Sequence, residues 1–166
     1  MSRGVAVVVQ RCHESIVGGS ESLAWQYATL LRDVYPVDVL TTTALDYSDW
    51  ANALPEGVEE REGIRVRRFR VTNGRSPYWG KLYDRLLADF KTHCAGGRRA
   101  AGAVRHLPWG MSLQEEFIRH QGPYCEPLLK FLRKRWADYR AVIFTTYLYP
   151  TTYFGLLDAP PQSALF

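Results

Sequence analysis

The sequence predicts an α/β domain built on a mostly parallel sheet. Two observations carry that expectation. The apolar runs at residues 5–9, 37–42 and 141–145 are short, rich in β-branched residues and nearly free of polar alternation, as strands covered on both faces are. Between them stand segments of helical periodicity long enough to carry the chain from one parallel strand to the next. Helices on both faces of such a sheet make a three-layer, Rossmann-like domain. A chain of 166 residues with 46% apolar content suffices for one such domain. It would bury about 70% of the surface its unfolded form exposes.

The first strand, Val5-Ala6-Val7-Val8-Val9, leads through a loop to Gly18-Gly19 and an amphipathic helix. Ser20 is placed to cap that helix, Glu21 to complement its dipole, and Pro36 to end it. Leu23, Tyr27, Leu30, Leu31 and Val34 recur at helical spacing and predict one apolar face against the sheet. Val37-Asp38-Val39-Leu40-Thr41-Thr42 is the second strand. A third is expected at residues 64–71 after a turn at Gly63. Ile64 and Val66 fall on one face of it and Phe69 and Val71 on the other, which implies a bulge at Arg67-Arg68.

Residues 72–122 read as an irregular helical insertion. A helix from Tyr78 to about Thr92 carries Leu82, Leu86, Leu87 and Phe90, a small, basic stretch follows at 95–104, and a shorter helix holds Leu113, Glu116, Phe117 and Ile118. From 125 to 139, Leu128, Leu129, Phe131, Leu132 and Trp136 form a helical stripe edged by Lys130, Arg133, Lys134 and Arg135. The strand at 141–145 comes next. Tyr147, Leu148 and Tyr149 crowd its end, and Pro150 starts a short helix with Tyr153 and Phe154 toward the core. The last residues read as a loop entering a further strand, so the expectation is one domain over 1–166 that continues beyond Phe166.

Composition narrows the function classes. No run approaches the ~18 apolar residues of a membrane span, and the N-terminus lacks a signal-peptide pattern, so a cytoplasmic location is expected. Cys12, Cys94 and Cys125 are odd in number and widely spaced, which points to neither a disulfide framework nor a metal site. The net charge of +4 rests on 17 Arg and 4 Lys. Arg65, Arg67, Arg68, Arg70 and Arg75 form a dense basic stretch, read first as a solvated face and second as a contact for the inner face of a membrane. Nucleic acid is disfavoured because no recognition fold or basic-aromatic platform accompanies so small a net charge.

The candidate ligand site is the turn at Gly18, Gly19 and Ser20. Glycines there let a ligand approach backbone, and the unpaired N–H groups and dipole of a helix start favour an anion. The turn lacks the third glycine of the dinucleotide fingerprint and follows a long loop, so a crevice site is expected rather than a wrapped cofactor. A stand-alone nucleotide- or anion-binding regulatory module is one reading of these features.

Gly18-Gly19-Ser20-Glu21, the helix after it, Val37-Asp38-Val39-Leu40-Thr41 and the segment Gly63 to Phe69 together resemble the N-terminal domain of a GT-B glycosyltransferase of family 4. The segment from Gln121-Gly122-Pro123-Tyr124 to Tyr147-Leu148-Tyr149-Pro150-Thr151-Thr152-Tyr153-Phe154-Gly155 is similar to a bacterial branch of the same family. The resemblance implies half of a GT-B fold that recognises the acceptor. A C-terminal domain in cis would hold most of a nucleotide-diphosphate sugar donor, and this half alone would have little activity. It implies metal-independent transfer without a cofactor, in the setting of cell-surface polysaccharide synthesis. Gly18, Gly19 and Ser20 would lie near the donor diphosphate, and Tyr147, Tyr149 and Thr151 would meet the acceptor. Many relatives carry a histidine just after the fourth strand. Residues 147–152 hold none, which leaves the catalytic residue open, with His13 and His120 as candidates.

Overall fold

The computed structural model describes residues 3–92 and 108–166. Cys94 and the stretch expected at 95–104 lie outside the described residues. The elements follow in the order β1 (Gly4–Val8), α1 (Gly19–Leu31), β2 (Val37–Thr42), β3 (Gly57–Arg61), β4 (Ile64–Phe69), α2 (Trp79–Phe90), α3 (Met111–Gln121), α4 (Glu126–Arg135), β5 (Tyr139–Phe144), α5 (Pro150–Leu157) and β6 (Ser163–Leu165). They build a six-stranded sheet of order β3-β4-β2-β1-β5-β6. Every pairing in it is parallel except that of β3 with β4. The α/β class and the parallel sheet are as the apolar runs predict.

Alternation along the strands divides the core into two layers. Val7, Val9, Val37, Val39, Ile64 and Val66 face α1, with Ala24 and Ala28 packed on them. Ala6, Val8, Leu40, Phe69, Val142 and Phe144 face the other way, against Leu128, Leu129 and Leu132 of α4 and Phe154 of α5. Each layer excludes water from one side of the same strands, so β2 is buried throughout and β1 from Val5 onward.

Three local expectations are corrected. Leu30 and Val34 are exposed, and the face that α1 buries is Glu21, Ala24 and Ala28, flanked by half-buried Trp25 and Leu31. Small residues let the helix axis approach the sheet, whereas the larger side chains of the expected stripe would hold it away. Ser20 makes no cap hydrogen bond; the N-cap is Gly18. No bulge interrupts β4, whose pairing with β2 runs in unbroken register from Arg65 to Phe69. Arg68 instead points into the α1 side of the sheet beside Ile64 and Val66. It is only 4% exposed and is held by Glu59 Oε1 at 2.6 Å and the Cys12 carbonyl at 3.2 Å.

Strand β3 pairs with β4 through a two-residue turn, Glu62-Gly63, in which both φ angles are positive (53° and 77°), as the tight hairpins that match strand twist require. The chain either side of α2 and α3 is joined by backbone hydrogen bonds. Thr72 and Asn73 N–H groups donate to the Tyr124 carbonyl, and Tyr124 N–H donates back to Asn73 at 2.9 Å. At the N-terminal edge of the sheet, buried Asp38 accepts from Arg65 Nε and the Tyr139 hydroxyl, each at 2.6 Å, and so ties β2, β4 and β5 together. Among the described residues no helix is long and apolar enough to cross a membrane.

Candidate functional site

Strand β1 lies between β2 and β5, so the chain leaves its C-terminal end toward one side of the sheet and later returns on the other. Crevices in open parallel sheets form at such a reversal. Here that reversal is flanked by the β1–α1 loop, the start of α1 and the segment after β5.

Glu21 organises the first two. Its side chain turns back across the helix start, where Oε1 accepts from Arg11 Nε at 2.5 Å and Gln10 Nε2 at 3.1 Å, and Oε2 accepts from Ser20 Oγ at 2.8 Å. Gln10 Nε2 also donates to Ser20 Oγ at 2.9 Å. Burial by itself would push the Glu21 carboxyl up, but the hydrogen bonds from Ser20 and Arg11 and the arginine charge outweigh it and hold the group below the usual carboxylate range. The ion pair leaves this end of the helix balanced in charge.

The two glycines therefore differ. A Cβ on Gly18 would overlap Glu21 Oε2, so a side chain there would have to displace the carboxylate from its hydrogen bonds. A Cβ on Gly19 would meet nothing, and Gly19 is exposed with no positive φ. Its lack of a side chain answers to no contact among the described residues.

After β5 the backbone reaches Thr146 at φ 65°, a left-handed conformation that a β-branched residue adopts only under constraint from its surroundings. Tyr147 stands 74% exposed beside it. Tyr149 is half-buried, edge-on to Trp50 with ring centroids 5.1 Å apart. Burial and then the Glu21 charge raise its hydroxyl pKa, while Arg11 and Arg75 oppose them. Thr151 does not reach that surface. It is 1% exposed in the first turn of α5, and its hydroxyl has no partner.

Beyond Trp50 the edge opens into a groove of about 500 Å³ between the base of the insertion and α3, lined by Asn73, Arg75, Ser76, Glu116, Arg119 and His120 among others. Trp50 Nε1 and Arg75 Nε both donate to the Gln121 carbonyl, at 3.0 Å and 3.3 Å, which joins groove to crevice. His120 thus belongs to the groove, 3.8 Å from Glu116 Oε2. His13 lies outside the groove: it lines a cavity of about 240 Å³ with Glu21, Ser22 and Trp25 at the start of α1, and on its other side faces Glu59 and Glu60 of β3, with Nδ1 accepting the Ser15 N–H at 3.2 Å. The structure does not bring the two histidines together.

The arginine stretch also disperses. Arg65 pairs with Asp38, Arg67 stacks on Phe131, Arg68 is buried with Glu59, and Arg75 stacks on Trp79. Among the described residues Arg65 and Arg67 share one cavity with Arg135, while Arg68 and Arg75 lie elsewhere. Sequence reasoning missed Gln10, Trp50 and Arg119 as site residues. The only signal in the chain was a Gln-Arg pair directly after an apolar strand. Among the described residues no cluster of His, Cys, Asp and Glu could hold a metal ion. Neither a family model, nor a curated protein, nor a solved structure matches the chain.

Proposed function

We propose that this chain is the acceptor-recognising half of a glycosyltransferase, moving a sugar from a nucleotide-diphosphate donor to an acceptor held at the C-terminal edge of its sheet. The observation that carries the reading is Gly19. It has no steric reason within the fold to be glycine, yet it sits at the helix start beside the crevice at the β1/β5 reversal. A ligand that must approach backbone closely supplies the reason. The resemblance of the ordered segments to family 4 names that ligand as the donor diphosphate.

The chemistry fits the groups present. Departure of a nucleoside diphosphate builds negative charge that helix-start N–H groups stabilise. Tyr147 and Tyr149 offer ring faces and hydroxyls to a sugar acceptor. The donor's base and most of its phosphate contacts belong to a second domain in cis.

A donor screen on the complete protein tests this. Transfer from one nucleotide-diphosphate sugar, lost in Gly19→Val while the fold stays cooperative, is the expected result. Wild-type turnover by Gly19→Val overturns it. Tight nucleotide binding by the chain with no transfer from any donor would favour the regulatory module instead.

A further inference from the structure

The groove beyond Trp50 carries more charge than the fold uses. Arg75 and Arg119 are each half-buried against aromatic rings. The Arg75 guanidinium lies 4.8 Å from the Trp79 centroid, and that of Arg119 lies 4.7 Å from Tyr124 and 4.2 Å from Phe154. Stacking fixes their planes and turns the donor edges away from the rings. Neither is paired with a carboxylate among the described residues; Glu116, the acid of this groove, stands against His120.

From these positions we infer that the groove binds an anionic phosphate group carried by the acceptor. The inference rests on the acceptor-side reading above and names the acceptor's class. Two guanidinium forks from separate segments, with the Ser76 hydroxyl, the Asn73 amide and the His120 imidazole around the same cavity, supply donors from several directions. A tetrahedral phosphate takes up such a set, whereas a carboxylate is satisfied by one fork. The volume of about 500 Å³ has room for a hexose phosphate. Arg75 and Trp50 donate to the same Gln121 carbonyl and Tyr149 packs edge-on to Trp50, so a sugar attached to the held phosphate extends toward Tyr149.

Calorimetric titration of the chain with glucose 6-phosphate, inorganic phosphate and glucose tests the site. Glucose 6-phosphate should bind saturably, inorganic phosphate should compete, and glucose should give no heat. Arg75→Gln and Arg119→Gln should each weaken binding about tenfold or more, as loss of a charge-assisted hydrogen bond does. Arg133→Gln, an exposed pair with Asp158, should change nothing. If Arg119→Gln unfolds for want of its stack on Phe154, Arg75→Gln reads the site alone.

Sedimentation with phosphatidylcholine vesicles, with and without phosphatidic acid, separates the two sources of the phosphate. Binding only to phosphatidic acid vesicles, reduced by the same substitutions, assigns a lipid headgroup; binding only to glucose 6-phosphate assigns a soluble sugar phosphate. Binding to neither, equal binding of glucose, or unchanged binding by both arginine variants overturns the inference. Phosphate binding in a complete protein that transfers no sugar would remove the transferase reading and leave the site standing. Transfer to a phosphate-bearing acceptor at wild-type rate by both arginine variants would remove the site and leave the transferase.

Discussion

Glu21 stands where an N-terminal helix charge is worth most, and its acceptor capacity is taken up by Arg11, Gln10 and Ser20. Its carboxyl titrates below the usual range when folded, so its contribution is complete at neutral pH. That contribution is lost as pH falls from about 4.3, the unfolded value, through the lower folded one. Glu21→Gln should therefore lower Tm at pH 7 and flatten the acid limb of the stability curve; acid limbs of equal slope in thermal melts would contradict this. The neighbouring glycines separate stability from function. Gly18→Ala drives a methyl into Glu21 Oε2 and should cost about 1–3 kcal/mol in urea unfolding. Gly19→Ala meets nothing and removes flexibility from the unfolded chain, so it should be neutral or stabilising by up to about 1 kcal/mol. If the proposed function holds, the same methyl impairs donor use.

At the scale of elements, α1 shows how close packing overrules apparent amphipathicity. Ala24 and Ala28 are 1% and 0% exposed, whereas Leu30 is 72% exposed. Ala28→Leu should overpack the α1 layer by about 1–3 kcal/mol, while Leu30→Ser should stay within about 0.5 kcal/mol of wild type. Chemical denaturation of the pair checks both, and a larger loss for Leu30→Ser would restore the wider stripe. The buried parallel strands were legible because a strand covered on both faces must be apolar, and β2 lies where its run of residues places it. Strand β3 was not legible. Gly-Val-Glu-Glu-Arg has one apolar residue and is almost wholly exposed, and its conformation comes from pairing with β4 across the Glu62-Gly63 turn. Arg68 misled for a related reason: a strand arginine reads as solvated until Glu59 on that unrecognised neighbour is there to receive it. The groove was the least legible part, because Arg75 and Arg119 meet only where Thr72, Asn73 and Tyr124 close the base of the insertion.

For the whole molecule the question is whether the two layers fold as one. They share β1, β2 and β4, whose alternate residues face opposite ways, so loosening either layer exposes the backs of strands that the other still needs. Coincident unfolding is expected of a single domain on that plan. Two thiols report on the layers separately, since Cys12 packs with α1 against one face and Cys125 with α4 and α5 against the other. Burial raises both, Cys125 to about 12, so neither forms appreciable thiolate in the native state at pH 8. With Cys94 replaced by serine, labelling by a thiol reagent across a urea series should give one midpoint for both cysteines, matching that of circular dichroism. Labelling of Cys12 at lower urea than Cys125 would instead show α1 and its glycine turn opening ahead of the sheet. The crevice would then be the least stable part of the domain rather than a preformed one.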